Sequence, residues 1–443
     1  MRKEKSAFMN NIQQKILNFK LKITSDCITP KAGLVLFVKI AEQIGLTDLI
    51  KIYFSKPGSN KGIRAYDYIM SIMLMLIGGG KYLEDIREIR MDKGLQKLSG
   101  IKRVPSPDAI AKWLRKEENA IGLKRMIGYL NKEVLKRDIG NEYTLDVDAT
   151  IIETEKNDAT MTYKGIKGNS VLLSFIPEVD LCMREDYREG SVNAGYKILE
   201  HIKYVNTFLS KIKKRVKYFR SDSAAYNSEI INYCNENNIK FTITADMDSS
   251  IKSSIKQIKE SEWRPLYDKY GILTERQYAT TVHCMNNTKE AFTIIVQRWE
   301  DKQGCLFDEY KYNYYVIATN DYEREPQEII YFHNARGNSE NYNKELKSGF
   351  GLEYVPTQDI FANSIFFKLG ILAYNLSVAL KRLVLGGDWI KKTISTLRWQ
   401  LIFIAAKVVF HSRLLFLKLK SSYFYLFNSI LSKIPSALAP PIS

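Results

Sequence analysis

The stretch LDVDAT (residues 145–150) sets two carboxylates inside an apolar, β-branched run. In a strand, Asp146 and Asp148 project from one face. Acids are depleted in strands, so the pair marks either a polar sheet face open to solvent or a site. A further acid, Asp222, falls in YFRSDSAAY (218–226), where a short strand ends and a turn of small residues begins. Strand ends in α/β sheets are common homes for ligands; the competing reading is a helix N-cap. The third stretch is HNARGNSENYNKELK (333–347). Read as one helix, it brings Arg336, Glu340, Asn343 and Lys347 within roughly 60° of one another. Such a stripe is either a salt-bridged surface or part of an active site. Ala335, Tyr342 and Leu346 form a neighbouring apolar stripe suited to docking on a sheet. Glu345 lies about 140° round from Glu340, so the two cannot serve one site. Carboxylates on a strand, at a second strand's end and on a later helix can hold divalent metal. Hard oxygen donors suit Mg2+ or Mn2+. Two such ions would activate a water or a 3′-hydroxyl and stabilise the leaving oxygen of an in-line phosphoryl transfer.

Those acids need a scaffold, and the sequence order supplies one. Residues 142–153 read as a strand, and SVLLSFIPEVDLCMRED (170–186) as two more around Pro177-Glu178. A helix over 195–215 follows, then strands at 216–222 and 239–248, an α/β order. From 250 to about 325 the chain turns β-rich, with strand candidates in TVHCMNNTKEAFTIIVQRWE and YKYNYYVIATN. Helices return at 326–347 and 358–385, and AAKVVFHSRLLFLKLK (405–420) has the pattern of a hairpin. Before residue 138 the chain reads mainly as helices. One ends at Gly78-Gly79-Gly80; another starts at Ser106 as N-cap with Pro107 behind it. These readings divide the chain into a helical, basic stretch (1–138) that suits either a DNA-binding domain or a generic helical domain, a first core part (139–249), a β-rich insertion (250–325), a second core part with the Glu340 helix (326–386) and a basic C-terminal region (387–443).

The chain has 443 residues and a net charge of +17, an excess that favours a polyanionic partner. An anionic membrane is the alternative to nucleic acid. The apolar run IMSIMLMLI (69–77) is too short to span one, and IFFKLGILAYNLSVAL (365–380) carries Lys368 and Asn375, so both read as buried helices. No apolar signal core follows the basic N-terminus. Five scattered cysteines (27, 182, 234, 284, 305) include no Cys-x-x-Cys pair, which fits free thiols in a reducing cytoplasm. The richness in Lys, Asn, Ile and Tyr also fits an AT-rich genome, so 27 tyrosines are weak support for base stacking.

LDVDAT, RSDSAAY and RGNSENYNKELK, in that order and with a β-rich segment between the last two, resemble the DDE-type transposases of bacterial insertion sequences. The resemblance covers roughly residues 65–413 and takes in GGGKYLEDIREIR (78–90), PSPDAIAKWL (105–114), YKGIKGN (163–169) and FANSIFFKLGILAYNLSVALKR (361–382). It implies an α/β fold with an RNase H-like mixed sheet and flanking helices, interrupted by a β-rich insertion. It also implies metal-dependent cleavage at transposon ends and strand transfer into target DNA. Asp148, Asp222 and Glu340 become the catalytic triad holding two Mg2+ or Mn2+ ions. Asp148 is preferred to Asp146 because the family's first aspartate precedes a small residue and Thr; Asp146 becomes a supporting partner. The family's helix signature (Tyr, two residues, Arg, three residues, Glu, six residues, Lys) fits Arg336, Glu340 and Lys347, with His333 in place of the tyrosine. Arg336, Lys347, His333 and Asn343 are then expected at DNA, an imidazole being able to stack or donate a hydrogen bond. Where relatives pass through a DNA hairpin, a flipped base stacks on an aromatic residue; Trp299 and Trp263 are the positions for that. Inverted-repeat ends and target DNA are the expected partners, with a homodimer pairing two ends on the bacterial nucleoid in the cytoplasm and no membrane. The alternatives are an inactive DNA-binding derivative and an RNase H-like nuclease without strand transfer.

Overall fold

The computed structural model describes residues 21–300 and 312–438, and Cys305 lies outside them. Thirteen strands occur among the described residues. They are β1 (Ile28–Thr29), β2 (Glu142–Glu153), β3 (Thr160–Met161), β4 (Lys167–Ile176), β5 (Leu181–Glu189), β6 (Arg215–Ser221), β7 (Lys240–Thr244), β8 (Arg264–Tyr267), β9 (Leu273–His283), β10 (Phe292–Glu300), β11 (Tyr312–Thr319), β12 (Ala406–His411) and β13 (Leu414–Lys418). Ten of these form one mixed sheet in the order β3-β4-β2-β6-β7-β11-β10-β9-β8, with β5 also paired to β4. β2, β6 and β7 run parallel, while β4 is antiparallel to β2. The parallel links are crossed by the helices Ile198–Ser210 and Ser228–Glu236, as the spacing of strand and helix predicts.

The β-rich stretch does not form a separate sheet. β11 pairs antiparallel with β7, so β8–β11 prolong the central sheet along its free edge. A parallel strand there would expose unpaired N–H and C=O groups, and β11 satisfies them. A small apolar cluster of Leu266, Ile295, Ile317, Ile329 and Ile330 seals this extension against the helix Pro326–Asn334.

The main core centres on the helix Ile360–Ala379, in which nearly every residue is buried. It is apolar and long enough to cross a membrane, yet its apolar surface is covered by protein: the helices Ala65–Ile77, Pro107–Leu114 and Glu117–Arg137 and strand β5 all pack on it. Two polar groups on it are satisfied internally. Asn375 Nδ2 donates to the Asn131 side chain (2.7 Å) and to the Cys182 carbonyl (2.8 Å), and Lys368 pairs with Glu185 at 2.9 Å. The helical stretch before residue 138 therefore shares one continuous core, Ala32 to Leu438, with the sheet. The tail forms the expected hairpin, β12–β13, and β1 pairs with β12 to make a second, three-stranded sheet.

Candidate active site

β2 and β6 lie side by side and parallel, with Asp146 opposite Arg220 in the ladder. Two residues further along each strand stand Asp148 and Asp222, on the same face by the two-residue period. Asp222 follows the last residue of β6, and its Oδ1 accepts a hydrogen bond from Ala224 N (3.1 Å), closing the turn. The N-cap and site readings of Asp222 are thus compatible: one carboxylate oxygen caps the turn. Asp148 is pushed up to about 6, first by burial and then by the neighbouring Asp222 carboxylate; Arg336 and the Asn343 amide pull it back. Two carboxylates forced together and partly desolvated are an arrangement that a divalent cation relieves, so the donor set fits such an ion.

The third wall comes from the chain after β11. The helix predicted over 333–347 is broken into pieces: an α-helix Pro326–Asn334, a 3₁₀ turn Ala335–Gly337, an α-helix Asn338–Lys344 and a π-turn Glu345–Gly349. The stripe survives in part. Asn343 Nδ2 donates to Asp148 Oδ2 (3.2 Å), and Lys347 Nζ donates to the Ile151 carbonyl (2.6 Å) and to Thr150 Oγ1 (3.4 Å). The apolar face docks as expected: Leu346 is buried, and Tyr342 stacks on Phe175 of β4 with ring centroids 4.7 Å apart. Glu345 turns away from this face, and its Oε1 accepts from Ile394 N (2.5 Å). Glu340 is exposed, about one turn before Asn343. Among the described residues, no three His, Cys, Asp or Glu side chains are gathered closely enough to hold a metal ion. The two aspartates are adjacent, and Glu340 stands outside their group.

His333 corrects the sequence expectation. It is 1% exposed, deep under the sheet rather than at a DNA-facing surface. Its Nδ1 meets Thr242 Oγ1 (3.1 Å), while its Nε2 meets Thr244 Oγ1 (3.1 Å) and Tyr315 Oη (2.9 Å). Burial, reinforced by the Arg336 charge, pushes the imidazole down to about 3, so it is neutral. Three internal hydrogen bonds leave it no face for a base or phosphate. Lys347 is likewise drawn inward, onto β2, where a phosphate contact had been expected. Trp299 sits on β10, three strands from β6, with the Arg276 guanidinium 4.5 Å from its ring centroid. Trp263 packs against Arg298 at 4.1 Å.

Arg220 opens the RSDSAAY motif that also carries Asp222. Its side chain is 5% exposed and forms a two-pronged pair with Asp146, Nε to Oδ1 at 2.7 Å and Nη2 to Oδ2 at 2.8 Å. The signal that finds it is alternation: Arg220 shares a strand face with Asp222 just as Asp146 does with Asp148.

A family model described as "Transposase DDE domain group 1" matches residues 13–440 of the chain. Among solved structures, a piggyBac transposase synaptic complex with hairpin DNA matches at 10% identity and a TM-score of 0.43, over 95% of this chain and 86% of that one. No curated protein gives a significant match.

Proposed function

The chain belongs to the DDE transposase family, enzymes that cut and join DNA with divalent metal ions, and from that premise we propose that Asp148, Asp222 and Glu340 are its catalytic acids. The observation that carries this reading is the nearness of Asp148 on β2 to Asp222 just past the end of the adjacent parallel strand β6, with Asp148 raised to about 6 by burial and by that neighbour. The strand order β5-β4-β2-β6-β7, with β4 antiparallel and the rest of the inner three parallel, supports an RNase H-like core.

Asp148 and Asp222 would hold Mg2+ or Mn2+, with Glu340 as the third ligand and two ions per site. Bound there, the metal supplies Lewis acidity to the attacking water or 3′-hydroxyl and to the leaving oxygen. The chain's own groups prepare that chemistry. The Asn343 amide fixes one oxygen of Asp148. Arg336 lies close enough to lower Asp148 electrostatically, and its guanidinium would meet a phosphate of the scissile strand. Lys347 ties the helix to β2. The +17 charge supplies salt-sensitive affinity for transposon-end and target DNA. The working form is a homodimer bridging two ends on cytoplasmic, nucleoid DNA.

Single substitutions test the triad. Asp148→Asn, Asp222→Asn and Glu340→Gln should each abolish Mg2+-dependent cleavage of end DNA while gel-shift binding of that DNA persists. Full cleavage by Glu340→Gln would remove Glu340 from the assignment.

A further inference from the structure

One register step below the two acids, the same strands carry the Asp146–Arg220 pair, and Arg220 does more than neutralise its partner. Its Nη1 donates to the Phe332 carbonyl (2.8 Å), and its guanidinium lies 4.7 Å from the Phe332 ring centroid. Arg324 covers the same ring at 4.1 Å. Phe332 and His333 close the helix Pro326–Asn334, and His333 is pinned to β7 and β11 by its three hydrogen bonds. Three strands therefore grip this two-residue bracket: β6 through Arg220, which Asp146 of β2 holds in turn, β7 through Thr242 and Thr244, and β11 through Tyr315. Three residues of 3₁₀ turn later the helix bearing Glu340 and Asn343 begins.

We infer that Arg220 is a positioning residue, which sets the two acid-bearing strands and the root of the Glu340 helix in one frame. The inference rests on the proposed assignment of the acids. A buried ion pair is poor at stabilising a fold, because desolvation offsets most of the attraction; two well-packed apolar side chains would fill this space as well. What they could not supply is direction. The guanidinium is a rigid planar fork, and here it directs two N–H bonds at β2 and a third at the helix end. Lysine keeps the charge but cannot hold that geometry. Like charges at Asp148 and Asp222 push apart, so the metal site depends on a frame that resists splaying just beneath it.

The test uses the full chain in three forms: Arg220→Lys, the core-filling double variant Asp146→Leu/Arg220→Met, and Asp148→Asn as reference. Four quantities are measured: fold by circular dichroism and melting, end-DNA binding by gel shift, Mn2+ binding by the EPR signal of the free ion, and the Mg2+ concentration giving half-maximal end cleavage. Both Arg220 forms should fold and bind end DNA as the wild type does. Mn2+ affinity should fall, and the Mg2+ requirement rise, by about 10-fold or more, the usual scale for losing a group that orients metal ligands. A folded Arg220→Lys or double variant with wild-type Mn2+ binding and Mg2+ dependence overturns the inference, provided Asp148→Asn is inactive. If Asp148→Asn still cleaves, the acid assignment has failed instead. Loss of the fold in both Arg220 forms would make the residue merely structural and would also overturn it.

Discussion

Asp146 faces Arg220 at the last paired position of β2 and β6, and two residues further along the chain Asp148 and Asp222, the latter just past the end of β6, lie close enough for their charges to act on each other. The backbone is the same, parallel and side by side, and the side chains leave one face of the sheet. The lower pair has opposite charges, nearly complete burial and matched hydrogen bonds. The upper pair has like charges, partial exposure and a carboxylate raised to about 6. A satisfied ion pair can only hold position. Two like-charged acids where β6 ends have no opposite charge between them and keep lone pairs that a divalent cation can take, so the chemistry belongs there and the rigidity below it.

The sharpest way to break the contrast is to turn the upper pair into a copy of the lower. Asp222→Arg would give Asp148 the kind of partner that Asp146 already has. Asp148 should then titrate well below its present value of about 6, read by carboxyl NMR. End cleavage should fall by at least about 10³-fold, the scale of removing preorganised charge stabilisation from an active site. Melting should change little, since the attraction that replaces a repulsion offsets the lost cap on Ala224 N. Retained cleavage would mean that the acid pair is not the metal site.

The opposite manipulation spoils the lower pair. Arg220→Met leaves Asp146 buried beside an apolar side chain, and breaking a buried pair from one side costs about 3–5 kcal/mol. Urea unfolding should register that loss. Adding Asp146→Leu should recover most of it, because the stranded charge is gone.

Much of this contrast was legible in the sequence, because it is local. The two-residue period put Asp146 and Asp148 on one face, the strand-then-small-residue pattern placed Asp222 at a strand end, and the helical period put Asn343 and Lys347 on the side that meets β2. What escaped was non-local. Nothing near Arg220 in sequence announces Asp146, 74 residues earlier, or Phe332, 112 later. His333 stands in the tyrosine position of the family signature and is expected at DNA. Its burial depends on Thr242, Thr244 and Tyr315, which only the docking of β11 on β7 brings together. The same pairing explains why the β-rich stretch extends the sheet. The break at Ala335–Gly337 also lay beyond a periodicity reading; it takes Arg336 off the helix that carries Glu340 and Asn343.

His333 and Asp148 should leave opposite marks on stability against pH. His333 falls from 6.5 to about 3 on folding, so its contribution is fully present above pH 6.5 and is lost as pH falls toward 3. Asp148 rises from 3.8 to about 6, so its contribution is present below pH 3.8 and is lost as pH rises through 6. The two slopes oppose each other between pH 3.8 and 6. Metal-free denaturant unfolding over pH 4–7 should therefore show a flatter acid limb in His333→Gln than in the wild type, and a steeper one in Asp148→Asn. Identical curves for all three would mean that neither group is perturbed in the folded chain.

The smallest effect concerns the link between the upper pair and the helix. Asn343 gives Asp148 one hydrogen bond, at 3.2 Å and partly exposed. A bond of this kind contributes about 1 kcal/mol net, so Asn343→Ala should raise the Mg2+ requirement for end cleavage only about 5-fold. Asn343→Asp, which nearly preserves shape but adds a negative charge beside Asp148 and Asp222, separates two roles for this residue. If Asn343 acts by orienting Asp148, the aspartate variant should be worse than the alanine one at neutral pH, because it replaces a donor by a repulsive acceptor and pushes Asp148 further up. If the site only lacked a ligand, the extra carboxylate would bind metal and improve on alanine. The order of the two variants in a Mg2+ titration of cleavage, rather than the size of either defect, decides between an orienting amide and a site short of one acid.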